Sequence, residues 1–222
     1  MLRKILADYK QRRRERRLLA MTPEDVFGTI YRHNKWGGKQ SMSGKGSDLD
    51  QTAHLIESLP ILLRQYEVGS ILDIPCGDFN WMQHVDLSGV HYIGADIVPE
   101  IIANNQKYEK DGIDFQVLNL TEDPLPTVDL IHVRDCLVHL SFEHALAAIQ
   151  NIKKSGSKWL LTTTFPNEIE NEDIVTGQWR RLNLEKSPFD FPSQSAMLNE
   201  QYFEDNHDHN DKSLGLWRIA DL

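Results

Sequence analysis

The stretch from Ser70 to Trp81, SILDIPCGDFNW, constrains the fold of this 222-residue chain more than any other. It begins with a short run of β-branched and leucine residues that ends in Asp73, and it continues into a turn that contains Pro75 and Gly77. An apolar strand followed by a tight turn and a helix is typical of the nucleotide-binding crevice at the carboxyl end of a parallel strand. Glycine in such a turn adopts dihedral angles closed to other residues and lets a ligand approach the backbone closely. We therefore expect Asp73 to lie at the strand tip and to face the crevice.

The rest of the chain repeats the pattern of a short apolar strand followed by a helix. Further strands are predicted over 91–97, 114–120, 128–133 and 158–165, and a final pair over 197–203 and 214–220. Helices are predicted over 99–110 and from Ser141, a capping residue, to Gly156. This alternation predicts an α/β fold with a doubly wound, mostly parallel seven-stranded sheet.

Net charge limits the classes of function. The chain carries a formal charge of −9. This charge argues against general nucleic-acid binding, because a protein with that function presents a basic face. Residues 1–17 differ from the rest, because they hold eight basic residues against two acidic ones, a net charge of +6 that leaves −15 for the remainder. This segment is either a solvated helical extension or a basic arm for anionic lipid, nucleic acid or a polyanionic substrate.

No apolar run approaches the roughly 18 residues that a membrane-spanning helix needs, and the first residues lack the apolar core of a signal peptide. The two cysteines, Cys76 and Cys136, cannot form a disulfide framework. We therefore expect a reducing compartment, the cytoplasm, and two inert buried thiols.

The first 67 residues precede the strand pattern. Thr22, followed by proline and two acids, predicts a helix start, and a second helix is expected over 48–66. Between the helices lies a loop rich in Gly, Ser and Lys that begins near Trp36. The loop is either a lid over a binding site or a disordered connector, and Trp36, a large apolar anchor, favours the lid. We therefore divide the chain into a helical extension with a lid loop, 1–67, and a main domain, 68–222.

A second acid ends the second predicted strand. Asp96 is 23 positions after Asp73, near the spacing at which a strand-end acid binds ribose in dinucleotide-binding folds. A carboxylate suits that role because it accepts hydrogen bonds from both vicinal hydroxyls. The alternative is that Asp96 caps the next helix, and the two roles are compatible.

Four segments, LDIPCG, YIGADIVPE, VLNLTEDPLP and VDLIHVRDCLVHLS, resemble motifs one to four of class I S-adenosylmethionine-dependent methyltransferases in order and spacing. The resemblance covers residues 68–222 and implies a Rossmann-like sheet whose terminal strand pair is antiparallel. Pro75 and Phe79 stand where that family commonly has glycines. The chain is similar, more narrowly, to bacterial-type methyltransferases with a WGG/GSGKGS-like segment and a TTTFPN tail after the fifth strand, a group whose substrate is unsettled.

The resemblance implies S-adenosyl-L-methionine as cofactor and S-adenosyl-L-homocysteine as its product. It places Asn119 near the adenine amino group. It places Arg134 either on the methionine carboxylate or on an anionic substrate. The alternative for Arg134 is an exposed salt bridge. The full set of expected cofactor contacts is Asp73, Pro75, Gly77, Asp96, Ile97, Asn119, Leu120 and Arg134.

The acceptor of the methyl group is expected over the carboxyl ends of the fourth and fifth strands. His139 is the candidate general base, although a structural histidine is the alternative, and Asp135 is either the base or a substrate contact. His207 and His209 suggest a metal site, but their spacing selects no metal, and we expect none. Acceptor contacts are expected from Trp36, Phe165, Asn167, Trp179 and Arg181. The alternative for Trp179 and Arg181 is that they fill the core where a helix is missing.

The acidic body and the absence of an RNA-binding domain favour a small molecule or a glycan as the acceptor, through a hydroxyl group. Methylation of RNA or protein docked on residues 1–17 is a second hypothesis. A cofactor-binding but inactive partner subunit is a third, motivated by the glycine-poor turn. Nicotinamide-dependent reduction is disfavoured because GxGxxG is absent.

Overall fold

The computed structural model describes the backbone of residues 2–201 and 211–222, and the side chains of residues 9, 11–201 and 211–222. In that part of the chain the strands are β1 (Ser70–Asp73), β2 (His91–Asp96), β3 (Ile113–Val117), β4 (Leu130–Val133), β5 (Trp159–Thr164), β6 (Ala196–Asn199) and β7 (Ser213–Arg218). The α-helices are α1 (Leu2–Leu19), α2 (Pro23–Arg32), α3 (Leu49–Gln65), α4 (Pro99–Asn105) and α5 (Phe142–Lys154). Short 3-10 helices lie at Lys45–Ser47, Met82–His84, Gln106–Tyr108, Leu137–His139 and Ile219–Asp221.

The described strands form one sheet in the order β3-β2-β1-β4-β5-β7-β6. Strands β1 to β5 pair in parallel, and β7 is antiparallel to both β5 and β6. The predicted fold class is thereby confirmed. The chain leaves β1 towards β2 and β3 and later returns to the other side of β1 with β4. The strand order therefore reverses between β1 and β4, which is where α/β sheets of this kind bind ligands.

Apolar residues cover both faces of the sheet. On β1 the side chain of Ile71 enters one hydrophobic cluster and that of Leu72 enters the other, as the alternation along a strand requires. Helix α3 packs Leu55 against the first cluster, and α5 packs Ile149 against the second. The central strands are consequently buried on both sides, and their polar ends are held rigidly at the edge of the sheet.

The capping residues predicted at the starts of two helices are confirmed. The Thr22 hydroxyl accepts a hydrogen bond from the backbone N–H of Asp25 at 3.2 Å and begins α2, and the Ser141 hydroxyl does the same for His144 at 3.3 Å at the start of α5. In the part of the chain that the structure describes, no helix has both the length and the apolar character needed to cross a membrane.

Several predicted boundaries are wrong. The strand predicted over 114–120 is Ile113–Val117, because the Asn119 side chain accepts hydrogen bonds from the backbone and hydroxyl of Thr121 and turns the chain out of the sheet. The sixth strand is Ala196–Asn199, and positions 202 and 203 of its predicted range lie outside the described residues.

The core of α3 provides a stability test. Replacing Leu55, which is fully buried, with alanine should lower the free energy of unfolding by about 2–5 kcal/mol, since it leaves a cavity. Ile61 on the same helix is 59% exposed, and its replacement with alanine should change that free energy by less than about 1 kcal/mol. Urea unfolding followed by circular dichroism compares the two. Equal losses would contradict the packing of α3 on the sheet.

Candidate active site

A cavity of about 1140 Å³ lies at the carboxyl ends of β1, β2 and β4. Its walls come from the turn after β1, the loop after β3, the segment after β4, and residues 42–47, which precede α3. Helices α1 and α2 close its outer side through Gln11, Arg14, Glu15, Phe27 and Tyr31. The volume lies just above the usual range of small-ligand pockets.

The structure brings most of the predicted site residues together around this cavity. All eight expected cofactor contacts line it, as do His139 and Asp135 and the expected acceptor contacts Trp36, Phe165 and Trp179. Two expected acceptor contacts are not among the lining residues. Asn167 donates its backbone N–H to the carboxylate of Asp211, and Arg181 pairs with Glu168 at 2.8 Å.

Asp96 joins the turn after β1 to the start of α4. Its carboxylate is buried and accepts the backbone N–H of Gly77 at 3.2 Å and that of Val98 at 2.9 Å. Burial raises its pKa to about 6. Because each carboxylate oxygen has two lone pairs, Asp96 can accept further hydrogen bonds from a ligand in the cavity. The helix-start role and a ligand-binding role are thus compatible in one side chain.

Asp73 is more enclosed than expected. It lines the cavity, but one carboxylate oxygen accepts the hydroxyl of Tyr92 at 2.6 Å and the other accepts Nδ1 of His132 at 2.7 Å. Asp73 thus ends β1 and borders the cavity as expected, and both of its carboxylate oxygens also have partners from neighbouring strands. Strand β4 places His132 directly beside Asp73 in the sheet. His132 was not among the expected site residues.

Phe79 occupies a position in the turn after β1 where methyltransferases of this class commonly have glycine. It adopts φ of +59°, a left-handed conformation that normally favours glycine. Its ring is buried and packs on Tyr92, Tyr108 and Phe115 with centroids 5.1–5.3 Å apart. This aromatic packing offsets the backbone strain, and the ring points into the core and does not line the cavity.

The loop before α3 is ordered by two carboxylates. Asp48 accepts backbone N–H bonds from residues 39–41 at 2.9–3.2 Å. Asp78, in the turn after β1, accepts the backbone N–H of Met42 at 2.7 Å and the hydroxyl of Ser43 at 3.2 Å. The described loop is therefore a hydrogen-bonded segment that lies on the turn and not a disordered connector, and its role as a lid stays a prediction.

The imidazole of His139 has a defined orientation at the cavity. Its Nδ1 lies 2.8 Å from the backbone oxygen of Gln178. A carbonyl oxygen can only accept, so Nδ1 carries the proton and Nε2 keeps the lone pair of the neutral ring. Burial lowers the pKa of His139, and the ring of Trp36 packs against it with centroids 5.1 Å apart. The side chain thus has both a structural contact and a free basic nitrogen.

Four charged groups form a cluster beside His139, and all of them except Asp135 are buried. The Arg134 Nη2 donates to the carboxylate of Glu200 at 2.6 Å and to the backbone oxygen of Gly46 at 2.8 Å. Lys212 Nζ lies 2.6 Å from the carboxylate of Asp135 and 3.2 Å from that of Glu200. Arg134 is buried, so the exposed salt bridge considered for it does not apply.

This cluster changes the interpretation of Asp135. Burial alone would raise its pKa, but the nearby Lys212 ammonium and Arg134 guanidinium outweigh that effect and hold the pKa of Asp135 below its ordinary value. An ionised, paired carboxylate of this kind is a poor proton acceptor. His139 is therefore the better base of the two. Glu200 and Lys212 were not among the expected site residues. The sequence signal that could have identified them is a charged residue beside each of the two terminal strands.

The remaining reactive side chains are inert. Cys76 and Cys136 are free thiols. Burial, with the Asp96 carboxylate nearby, raises the pKa of both, that of Cys136 to about 12. Among the described residues, no group of three or more His, Cys, Asp or Glu could hold a metal ion. His207 and His209 lie outside those residues.

Comparison with known proteins defines the class. A family model described as "Methyltransferase domain" matches residues 50–211, and the chain therefore belongs to that family. This membership confirms the enzyme class that the resemblance implied and the cofactor that goes with it. No curated protein sequence matches the chain.

Solved structures agree on the fold. Human N-acetylserotonin methyltransferase, solved with S-adenosylmethionine, is similar with a TM-score of 0.60 at 15% identity over 90% of this chain and 60% of its own. The N-methyltransferase NodS from Bradyrhizobium japonicum has a TM-score of 0.55 at 16% identity over 77% and 96%. The methyltransferase domain of a bacterial CtHen1 has a TM-score of 0.55 at 14% identity over 77% and 100%. This chain thus spans less than two thirds of the human enzyme. At these identities the likeness establishes the fold alone.

The contact of the loop with the turn gives a prediction. Gly77 has φ of +55°, and a Cβ there would lie 2.2 Å from the Ser43 hydroxyl oxygen. Gly77→Ala should therefore lower the free energy of unfolding by about 1–3 kcal/mol more than Gly89→Ala, because Gly89 also has a positive φ but nothing within 4 Å of its Cβ position. Chemical denaturation measures both variants. Equal effects would show that Ser43 does not lie on the turn.

Proposed function

We propose that the protein methylates a hydroxyl group of a small molecule or a glycan with S-adenosylmethionine as methyl donor. The observation that carries the proposal is one cavity that holds both the Asp96 carboxylate, suited to a ribose, and a neutral His139 with a free basic nitrogen. The cofactor supplies, when bound, an electrophilic methyl group on a sulfonium.

The residues present fit that cofactor. Asp96 offers open lone pairs on a buried carboxylate, and Asn119 and Leu120 line the cavity beyond it, one strand further along the sheet. The order β3-β2-β1-β4 then gives a bound adenosine a site over β3 and β2 and leaves the region over β1 and β4 for the methionine part. In this proposal Pro75, Gly77 and Ile97 form the floor, and Arg134 lies at the methionine end.

The acceptor half of the cavity is lined by aromatic side chains. Trp36, Phe165 and Trp179 line it, and the edge-to-face contact of Phe165 with Trp179 has centroids 6.1 Å apart. These rings can exclude water and orient an acceptor, which supplies much of the acceleration in methyl transfer. His139 Nε2 can take the proton from an acceptor hydroxyl as that oxygen becomes the nucleophile.

The extension forms part of this site in the proposal. Residues 1–67 would close the cavity through α1, α2 and the lid loop, and residues 68–222 would form the methyltransferase domain. The Glu15 carboxylate of α1 lies 3.3 Å from the side-chain amide of Gln178, next to His139 in space. Arg14 lines the cavity and Arg12, Arg13, Arg16 and Arg17 are exposed, so an RNA or protein acceptor docked on α1 is the second candidate.

An acceptor screen tests the proposal. The purified protein is incubated with S-adenosylmethionine and panels of sugars, small hydroxyl compounds, RNA and protein, and formation of S-adenosylhomocysteine is measured. Turnover with a hydroxyl compound supports the proposal, and turnover only with RNA or protein supports the second candidate. Cofactor binding without turnover on any panel would indicate an inactive partner subunit instead.

The carboxylate of Asp96 should make the affinity for the cofactor depend on pH. Only the ionised carboxylate accepts two ribose hydrogen bonds, and the pKa of Asp96 is about 6 without ligand. The affinity for S-adenosylhomocysteine should therefore be constant above pH 7 and fall as the pH drops below 6, by up to about tenfold per pH unit. Calorimetric titration between pH 5 and pH 8 measures it. Asp96→Asn should bind weakly and lose the dependence, and an unchanged dependence in that variant would assign the titration to another group.

His139 gives a kinetic prediction. His139→Ala should lower kcat by about 100-fold or more, because it removes the base, while the dissociation constant of S-adenosylhomocysteine stays the same. The exposed His84, which does not line the cavity, provides the matched control. Steady-state rates with the acceptor found in the screen compare both alanine variants. A full rate in His139→Ala would exclude the base role.

A further inference from the structure

We infer that His132 recognises the α-ammonium group of the bound cofactor, with Nε2 as the hydrogen-bond acceptor. This inference rests on the proposed function, because it assumes S-adenosylmethionine in the cavity. His132 lies inside β4, within the segment VDLIHVRDCLVHLS, and was not among the expected site residues.

The orientation of the His132 ring is determined by Asp73. The two residues are neighbours in the β1–β4 pairing, and Nδ1 of His132 lies 2.7 Å from the Asp73 carboxylate. In the inferred arrangement Nδ1 donates its N–H to the Asp73 carboxylate, and Nε2 is left as the acceptor on the other side of the ring. The hydroxyl of Tyr92 donates to the other oxygen of Asp73 and holds the carboxylate from behind.

Nε2 of His132 is a buried polar atom with no hydrogen-bond partner among the described residues. The side chain is 2% exposed, and the residue lines the cavity. Buried polar atoms are paired in folded proteins, since an unpaired one loses its hydration without compensation. A ligand in the adjoining cavity is therefore the expected partner of this nitrogen.

The position of His132 in the sheet agrees with the methionine part of the cofactor. Asp96 ends β2, and His132 lies in β4, two strands away, which corresponds to about 10 Å at the usual strand spacing. A cofactor with its ribose on Asp96 and its adenine towards Asn119 extends in the opposite direction over β1 and β4. Its amino-acid end then reaches His132.

The neighbouring cation gives the cofactor carboxylate a partner other than His132. Arg134, two residues further along the chain, lines the cavity and carries only hydrogen-bond donors. Its Nε is buried and has no hydrogen-bond partner among the described residues. A zwitterionic amino-acid group therefore fits with its ammonium on His132 and its carboxylate towards Arg134.

The test combines one residue change with ligand truncation. His132→Asn keeps an amide N–H near the position of Nδ1, which can still donate to Asp73, and removes the Nε2 side of the ring. Three ligands are titrated calorimetrically: S-adenosylhomocysteine, its deaminated analogue, which keeps the carboxylate, and 5′-methylthioadenosine, which lacks the whole amino-acid end. The variant should bind S-adenosylhomocysteine about tenfold or more weakly and the other two within about twofold of the wild type.

Tyr92→Phe is the matched control. Tyr92 also donates to Asp73 but does not line the cavity. It should weaken S-adenosylhomocysteine by clearly less than His132→Asn does, because it disturbs only the Asp73 side of the pair and keeps Nε2.

Three results would overturn the inference. Equal weakening of all three ligands in His132→Asn would mean a structural role, and equal weakening of the two carboxylate-bearing ligands would assign His132 to the carboxylate. An unchanged affinity for S-adenosylhomocysteine would exclude the contact. Failure of the wild type to bind S-adenosylhomocysteine at all would instead reject the proposed function, and it would be seen before any variant is made.

A second measurement uses the unmodified protein in case the variant does not fold. The ¹⁵N chemical shift of His132 Nε2 should move when S-adenosylhomocysteine binds and stay close to its free value with 5′-methylthioadenosine. The same shift with both ligands would contradict the inference.

Discussion

The contact between the loop before α3 and the turn after β1 is the constraint on which the rest of the candidate site depends. Asp78 in the turn accepts hydrogen bonds from the loop, and Ser43 fills the space above Gly77 that a side chain would need. The loop then forms one wall of the cavity, and the Gly46 carbonyl reaches the guanidinium of Arg134. The turn, the loop before α3 and a buried cation are thus joined in one hydrogen-bonded unit, which forms without a second or third glycine in the turn.

The charged groups around the cavity have separate roles because their surroundings differ. Asp96 is buried with backbone N–H groups and has a raised pKa, whereas two cations keep Asp135 ionised. His139 is half-buried near that cluster, and the desolvation that lowers its pKa keeps the imidazole uncharged while Nδ1 bonds a carbonyl oxygen. Environments that separate pKa values in this way are the usual means by which one site combines ligand binding with proton transfer.

The sequence predicts the fold class, the order of the elements and most of the residues around the cavity, because these follow from local patterns. Asp73 and Asp96 end apolar strands, and parallel strands bring such ends to one edge. The orientation of Asp73 was not predictable, since its partners Tyr92 and His132 come from neighbouring strands. Glu200 and Lys212 were missed for the same reason. Phe79 replaces a glycine only because three distant aromatic rings pack around it, and a single sequence shows no such contact.

Calorimetric titration of the unmodified protein with S-adenosylmethionine and S-adenosylhomocysteine, with NADH as control, tests the central claim most directly. We expect micromolar dissociation constants for the first two compounds and no heat of binding for NADH. Binding of NADH, or no binding of either adenosyl compound, would contradict it, because the cavity over β1, β2 and β4 would then not be a site for the methyl donor.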